Sequence, residues 1–226
     1  DRERTLRHVS HELKTPLTAL REGVALLQDE VPGALDAAQQ EVVAILQNNV
    51  IALQRQIEGL LSLNAAAFDS SHLIRRPVGL NDFLAAAVRR RELHSQARHL
   101  TLRVEAPDML VSVDDEKLAV IVDNLLSNAI DFSPIGGEIC LLATVSDGNL
   151  RLECIDQGPG VAEEDRERIF EPFVQGLRKA PAPRQGSGVG LSIVRELARA
   201  MGGHVGVLPS EAGAHFFVEI PDDKQQ

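Results

Sequence analysis

The chain has 226 residues with a formal net charge of −10; 44% of them are apolar, 25% charged and 3% aromatic. That balance suits a soluble protein of one large or two small domains, and its acidic sign argues against a nucleic-acid-binding surface, which needs a basic face. With no Trp and no Tyr, the core must be built from Leu, Val, Ile and Ala. The only tight basic run, Arg89 to Arg91, reads as the solvated face or end of a helix. Cys140 and Cys154 lie in strand-like apolar runs and read as small buried residues in a reducing compartment rather than a disulfide. No apolar run reaches the roughly 18 residues of a membrane span. No signal peptide is visible and the chain opens at Asp1 without Met, so it reads as a soluble piece of something longer.

The chain begins with a helix. Leu6, Val9, Leu13, Leu17, Leu20, Val24 and Leu27 recur three or four apart, one apolar stripe. Pro32 and Gly33 break it. A second stripe follows on Val42, Leu46, Asn49, Leu53, Ile57, Leu60 and Asn64. Two long helices joined by a short turn make an antiparallel hairpin, and pairing two hairpins into a four-helix bundle would cover both stripes, so a homodimer is expected. After residues 67–82 the pattern predicts helix 81–93, strands 100–106 and 109–113, helix 115–131, and strands 138–146 and 149–155. A loop-rich region, helix 188–201 ended by Gly202 and Gly203, and strands 204–208 and 215–220 complete the reading. Asp147 and Gly148 signal a hairpin turn. The second part is therefore helices layered on a mixed sheet, and the Pro-, Gly- and charge-rich segment 177–187 reads as a mobile loop.

Chemistry enters on the first helix, in "HVSHELKTPL" (8–17). At about 100° per residue, His11 falls roughly 160° from the centre of the apolar stripe, with Thr15 one turn on and His8 also pointing out. Three readings stand: plain solvated surface histidines; a metal site on His8, His11 and Glu12, which lacks the His-Glu-x-x-His order of zinc proteases; or a nucleophilic imidazole. In the last, one ring nitrogen attacks while a carboxylate such as Glu12 holds the other as N–H. Adjacent helical residues diverge by about 100°, so the helix must be adjusted locally, and Pro16 predicts a bend beside Glu12.

Four later patches share an interest in a nucleotide. Asn124 and Asn128, four apart on one helix face, offer side-chain carbonyls that can hold Mg²⁺ together with phosphate oxygens; capping or surface asparagines are the alternative. In "CIDQGPG" (154–160), strand parity puts Asp156 on the buried face at a strand end. A buried carboxylate needs a partner, either the exocyclic amine of adenine or a backbone amide of the turn. Phe170 and Phe173 flank Glu171-Pro172 and read as core packing that anchors the next loop. Gly186, Gly188 and Gly190 precede Leu191 and a helix, where backbone N–H groups can approach phosphate, although the triplet is neither a P-loop nor a dinucleotide fingerprint.

Each patch is weak alone. Their order, His-Glu-x-x-Thr-Pro, Asn helix, Asp-x-Gly-x-Gly, Phe-x-Pro-Phe, Gly-x-Gly-x-Gly-Leu, resembles the sensor histidine kinases of two-component signalling over essentially the whole chain. The resemblance implies an all-α dimerisation and phosphotransfer hairpin over 1–68, a linker over 69–80, and an α+β two-layer sandwich of the Hsp90-like ATPase type over 81–226. It implies ATP and Mg²⁺ as cofactors, a response-regulator receiver domain and a second copy of the chain as partners, and a cytoplasmic piece of a protein anchored in the bacterial inner membrane by a missing N-terminal part. Carried over by motif, His11 is the phosphoacceptor and Glu12 its base. Thr15 orients water when such proteins dephosphorylate their partner. Asn128 and Asn124 hold Mg²⁺, Asp156 accepts from adenine, Gly158 and Gly160 shape the base pocket, and Gly186, Gly188, Gly190 and Leu191 the phosphate end. One of Arg178, Lys179 and Arg184 in the lid meets the γ-phosphate. The linker is the implied hinge.

Departures from the family pattern are Asp131, where Lys or Arg is frequent, Phe132 where Tyr is common, and Ala214-His215 where small hydroxyl residues are usual in a final motif, "EAGAHFF" (211–217), that keeps Gly213. Asp131 alone supports the rival reading, a nucleotide-binding pseudokinase scaffold; another ATPase of the same fold is a further rival that "SHELKTP" opposes.

Overall fold

The computed structural model describes residues 2–69, 73–178, 188–210 and 212–222, with backbone alone for 2–14, 55 and 62–69. The described residues form two compact units, one ending at Phe68 and one made of the rest.

The first unit holds α1 (Arg2–Gln28) and α2 (Ala37–Asp69). Helix α1 runs unbroken through Pro16. It ends where Glu30 takes a left-handed φ of 54° and the amides of Glu30 and Val31 bond back to the carbonyls of Leu27 and Leu26, a Schellman arrangement built on Glu rather than Gly. Helix α2 starts at a reciprocal capping box: Asp36 Oδ1 accepts from the Gln39 amide at 2.8 Å, and Gln39 Oε1 from the Asp36 amide at 2.9 Å. Leu17, Val24 and Val43 are buried. The covered seam of α2 continues from Val43 through the half-buried Gln47, Val50, Gln54, Ile57 and Leu61. Most of the stripe read from sequence is left uncovered by a single hairpin: Val42, Leu46, Leu53 and Leu60 are 55, 43, 44 and 43% exposed. Helix α2 carries two neighbouring apolar seams, and one hairpin covers only one.

The second unit is a two-layer sandwich. Strands β2 (Thr101–Glu105), β4 (Glu138–Ser146), β5 (Asn149–Ile155), β7 (His215–Pro221) and β6 (His204–Val207) lie in that order; β2 and β4 pair parallel, the others antiparallel. Alternate residues Ile139, Leu141, Ala143, Leu150, Leu152, Cys154, Phe216, Val218 and Ile220 are buried. Helices α3 (Leu80–Arg90), α5 (Asp115–Phe132) and α6 (Gly190–Ala200) contribute the facing layer, with Leu80, Leu84, Leu118, Ile121, Leu125 and Leu126 fully enclosed. The core is aliphatic, joined by Phe170 and Phe216 edge-to-face at 6.3 Å. Asp147 and Gly148 have φ of 51° and 75°, the geometry of a two-residue hairpin turn. Gly202 and Gly203 close α6 by bonding to Arg199 and Ala198 carbonyls, a second Schellman motif. Cys140 and Cys154 are both free and sit on opposite faces of the sheet, because Leu141, not Cys140, pairs with Cys154.

Two details differ from the sequence reading. Residues Arg76–Gly79 form a short strand, β1, antiparallel to β3 (Leu110–Val113); four residues around a proline carry no period. The helix expected over 81–93 is two pieces, α3 and α4 (Glu92–Gln96), hinged at Arg91 with φ −99°. The basic run ends α3 as expected, with Arg89 and Arg90 exposed in its last turn, and Arg90 and Arg91 also reach Asp123 of α5 at 3.4 and 3.9 Å.

Candidate functional site

The helical hairpin carries His11, Glu12 and Thr15 on α1. The side chains of His8, His11 and Glu12 lie outside the described residues; Thr15 is exposed. Among the described residues no group of three or more His, Cys, Asp or Glu side chains is placed to hold a metal.

In the sandwich, Asp156 sits where β5 runs out, 3% exposed, as strand parity predicts. Its Oδ1 accepts from the Gly158 amide at 2.7 Å and the Ala214 amide at 3.0 Å, and its own amide donates to the Ala214 carbonyl at 3.0 Å. The local-turn alternative is therefore realised on Oδ1, while among the described residues no donor is bonded to Oδ2. Burial pushes the carboxyl above the ordinary aspartate value and the two amides pull against it, with burial prevailing. The site is thus an acceptor held by backbone in a desolvated place, suited to a polar N–H that brings its own desolvated partner.

Two glycines make this geometry possible. A Cβ on Gly158 would lie 2.7 Å from the Phe132 carbonyl oxygen at the end of α5 and 2.9 Å from Asp156 Oδ1. A Cβ on Gly213, at φ +76°, would lie 1.7 Å from the Asp156 carbonyl oxygen. Only glycine lets the β7 approach and the α5 end close on the Asp156 turn. Gly213 and Ala214 line a cavity of about 240 Å³ together with Val161, Glu163, Arg166 and Arg178.

Asn124 and Asn128 are half-buried on α5. Asn124 Nδ2 donates to the Val120 carbonyl at 2.8 Å, which turns Oδ1 toward the start of α6: a Cβ on Gly190 would be 2.8 Å from it. Ser192 Oγ donates to the Val189 carbonyl at 2.7 Å and tightens that first turn. Leu191 is half-buried within it. The phenylalanine pair divides: Phe170 is 2% exposed and packs in the core, whereas Phe173 is 46% exposed at φ 65°. Its amide donates to the Gly188 carbonyl at 2.9 Å, so backbone, not ring packing, ties this segment to the approach of α6. Arg178 Nη1 donates to the Pro159 carbonyl, beside Gly160. Lys179, Arg184 and Gly186 lie outside the described residues.

Two positioning groups escaped the sequence reading, and a third, Gly213, is named there without a role. Asp114, 3% exposed, caps α5 by accepting the Lys117 amide at 3.0 Å; it also pairs with the Lys117 ammonium at 2.9 Å and accepts the Ile74 amide at 3.0 Å. Burial alone would raise its carboxyl, but the two amides and the Lys117 charge together hold it below the ordinary value. An Asp just before an apolar helical run is a readable cap signal. Gly213 is kept from the family's final motif in "EAGAHFF" (211–217), but the motif alone does not say what its backbone meets. Asp165, buried, accepts the Leu177 amide at 2.7 Å; nothing local marks that contact across twelve residues.

Comparison with known proteins agrees with this arrangement. Residues 1–66 match the His Kinase A (phospho-acceptor) domain, and residues 113–224 the histidine kinase-, DNA gyrase B- and HSP90-like ATPase family. The sensor histidine kinase GlrK of Escherichia coli K12 is 36% identical over 225 residues, 99% of this chain and 47% of that protein. The histidine protein kinase DivJ of Caulobacter vibrioides is 31% identical over 221 residues, 97% of this chain and 37% of that protein. The crystal structure of full-length ShkA in complex with AMPPNP is similar with a TM-score of 0.69 at 30% identity, covering 96% of this chain and 45% of that one. The chain thus spans less than half the length of these relatives. A phosphoacceptor hairpin followed by this ATPase sandwich, together with these relatives across nearly its whole length, makes the chain a member of the sensor histidine kinases of two-component systems.

Proposed function

We propose that the chain is the kinase core of a two-component sensor: it transfers the γ-phosphoryl group of ATP to an imidazole nitrogen of His11, and the phosphohistidine then passes it to an aspartate of a response regulator. The observation that carries the reading is the Asp156 carboxyl, buried and held on Oδ1 by two amides, which leaves Oδ2 as the acceptor for an adenine amine in this reading. A neutral His11 attacks phosphorus with one nitrogen lone pair; the bond to the β–γ bridging oxygen breaks and ADP leaves. Glu12 holds the other ring N–H and takes up the proton as the ring gains positive charge. Thr15, one turn on, orients the water that hydrolyses the response regulator's aspartyl phosphate, releasing inorganic phosphate and the free aspartate.

The residues present suit Mg²⁺ with the nucleotide. Asn124 Oδ1 is turned to the start of α6 with its Nδ2 already committed to Val120, and Asn128 is one turn further along α5; both offer the hard oxygen donors the ion prefers. A Mg²⁺ ion held there would offset the negative charge of the phosphates. Gly158 and Gly160 border the base, and Gly188, Gly190 and Leu191 the phosphate side, with Gly186 extending that run. Arg178, Lys179 or Arg184 supplies the basic contact to the γ-phosphate.

The outward seam of Leu20, Val42, Ile45, Leu46, Leu53 and Leu60 supports a homodimer through the hairpin, since a second copy offers the same apolar surface. Among the described residues no helix is long and apolar enough to cross a membrane; membrane attachment of the longer protein is inferred from the family. Incubation with γ-labelled ATP and Mg²⁺ tests the whole reading. Acid-labile, alkali-stable label that vanishes in His11→Gln is expected. Label that persists in that variant removes His11 from its role, and nucleotide binding without any label turns the protein into a scaffold.

A further inference from the structure

We propose that Arg98 is a positioning residue for the base end of the nucleotide site, acting through the C-terminus of α5; this rests on the nucleotide reading above. Arg98 lies in the turn between α4 and β2, and its half-buried guanidinium reaches across to the last turn of α5. Nη1 donates to the Ile130 carbonyl at 2.7 Å and the Asp131 carbonyl at 2.9 Å, and Nη2 to the Ser133 carbonyl at 2.8 Å. The Arg98 carbonyl in turn accepts the Gly136 amide at 3.1 Å. One residue therefore holds both sides of the α5–β4 connection.

The position needs such a clamp. The last carbonyls of a helix have no partner of their own and carry partial negative charge. Helix α5 has no basic residue in its last turn and places Asp131 there. Ser133 closes only the Ala129 carbonyl. The Phe132 carbonyl, between those that Arg98 holds, is the one against which Gly158 backs so closely that a Cβ would sit 2.7 Å away. Gly158 in turn donates the amide that fixes Asp156 Oδ1 at 2.7 Å. The path is short: Arg98 sets the α5 end, the α5 end sets Gly158, and Gly158 sets the carboxylate that meets the base. The guanidinium fork is the group that can serve three carbonyls at once; an ammonium keeps the charge but not the fork.

The experiment measures ADP and ATP affinity by calorimetry, with Mg²⁺, on the whole chain and on Arg98→Ala, Arg98→Lys and Arg98→Gln, alongside autophosphorylation kinetics. Losing the clamp should weaken ADP and ATP by the same factor, on the order of tenfold, and raise KM for ATP similarly, with kcat at saturating ATP within about twofold. Arg98→Lys should recover only part of the loss. A lowered Tm with unchanged nucleotide affinity overturns the proposal, because Arg98 is then merely structural. A loss confined to ATP also overturns it, because the side chain then acts on the terminal phosphate. Should Arg98→Ala fail to fold, the same titration on Arg98→Gln decides, and affinities within about twofold of wild type overturn it. A wild-type chain that binds neither nucleotide overturns the underlying reading, which the wild-type titration separates from a failure of Arg98 alone.

Discussion

The hairpin and the sandwich solve the burial problem in different ways. In the sandwich, a sheet face and three helices enclose each other, so Leu80, Leu84, Leu118, Leu126 and Ile220 are all 0% exposed. In the hairpin, each helix has one neighbour, and only Leu17, Val24 and Val43 among the described apolar side chains are buried. A two-layer sandwich closes its own core, while a two-helix hairpin leaves a seam that only another helix pair covers. The hairpin is therefore the part whose stability is expected to gain most from association. The sandwich is the part where function is built from buried groups.

The sharpest way to break this contrast is Gly213→Ala. Its methyl would meet the Asp156 carbonyl oxygen at 1.7 Å with φ at +76°, and the cost should exceed about 4 kcal/mol. Circular dichroism should show the sandwich unfolding early while hairpin helicity persists; an unchanged melt would refute the close approach. Next comes Leu118→Ala, fully enclosed, which should cost about 2–5 kcal/mol. Leu53→Ala, at 44% exposure, should cost the single chain under about 0.5 kcal/mol yet weaken dimerisation measured by ultracentrifugation. Equal losses of monomer stability would erase the distinction.

Asp114→Ala should cost about 2–4 kcal/mol, since it removes the α5 cap and the buried ion pair with Lys117. Its pH dependence follows from the sign of its shift. The folded carboxyl lies below its ordinary value of 3.8, so its stabilisation is full above that value and lost as pH falls through the lowered one. Acid titration of stability should flatten in the variant. Asp156→Asn should behave oppositely. The folded carboxyl lies above 3.8, so its ionisation opposes folding as pH rises through that interval, and Asn removes this penalty while still accepting from Gly158 and Ala214. Tm should hold or rise while ATP affinity falls by about a hundredfold; a variant that binds ATP normally would take Asp156 out of base recognition. The smallest effect belongs to Asp131→Lys, half-exposed at the end of α5. ATP affinity should stay the same or increase, and a large loss in calorimetry would give Asp131 a positive role.

Most elements of the sandwich could be read from the chain because their signals are local. Alternation gives β5 and puts Asp156 inward, Asp147-Gly148 turns β4 into β5, and the 3.6-residue period gives α5 and α6. Motif order pointed to the family. The reading failed where the deciding partner is distant. Strand β1 exists only because β3 pairs with it some 35 residues on, from Arg76 to Val113 down to Gly79 and Leu110. Periodicity gives the apolar stripe of α2 but cannot say which side of it α1 covers, because Val42 and Val43 are adjacent.

What the sequence by itself determined is the set of amphipathic elements, their order, the helix caps and turns, and the residue types of the site, because each follows from periodicity or backbone chemistry within a few residues. What only the tertiary structure decided is which groups meet: Gly213 over the Asp156 turn, Asp165 on Leu177, the Ile74 amide on Asp114, and the Arg98 fork on the end of α5. Those contacts join residues 12 to 57 positions apart in the chain. Chain entropy gives them no local preference, and they form only when the packed layers bring the two ends together.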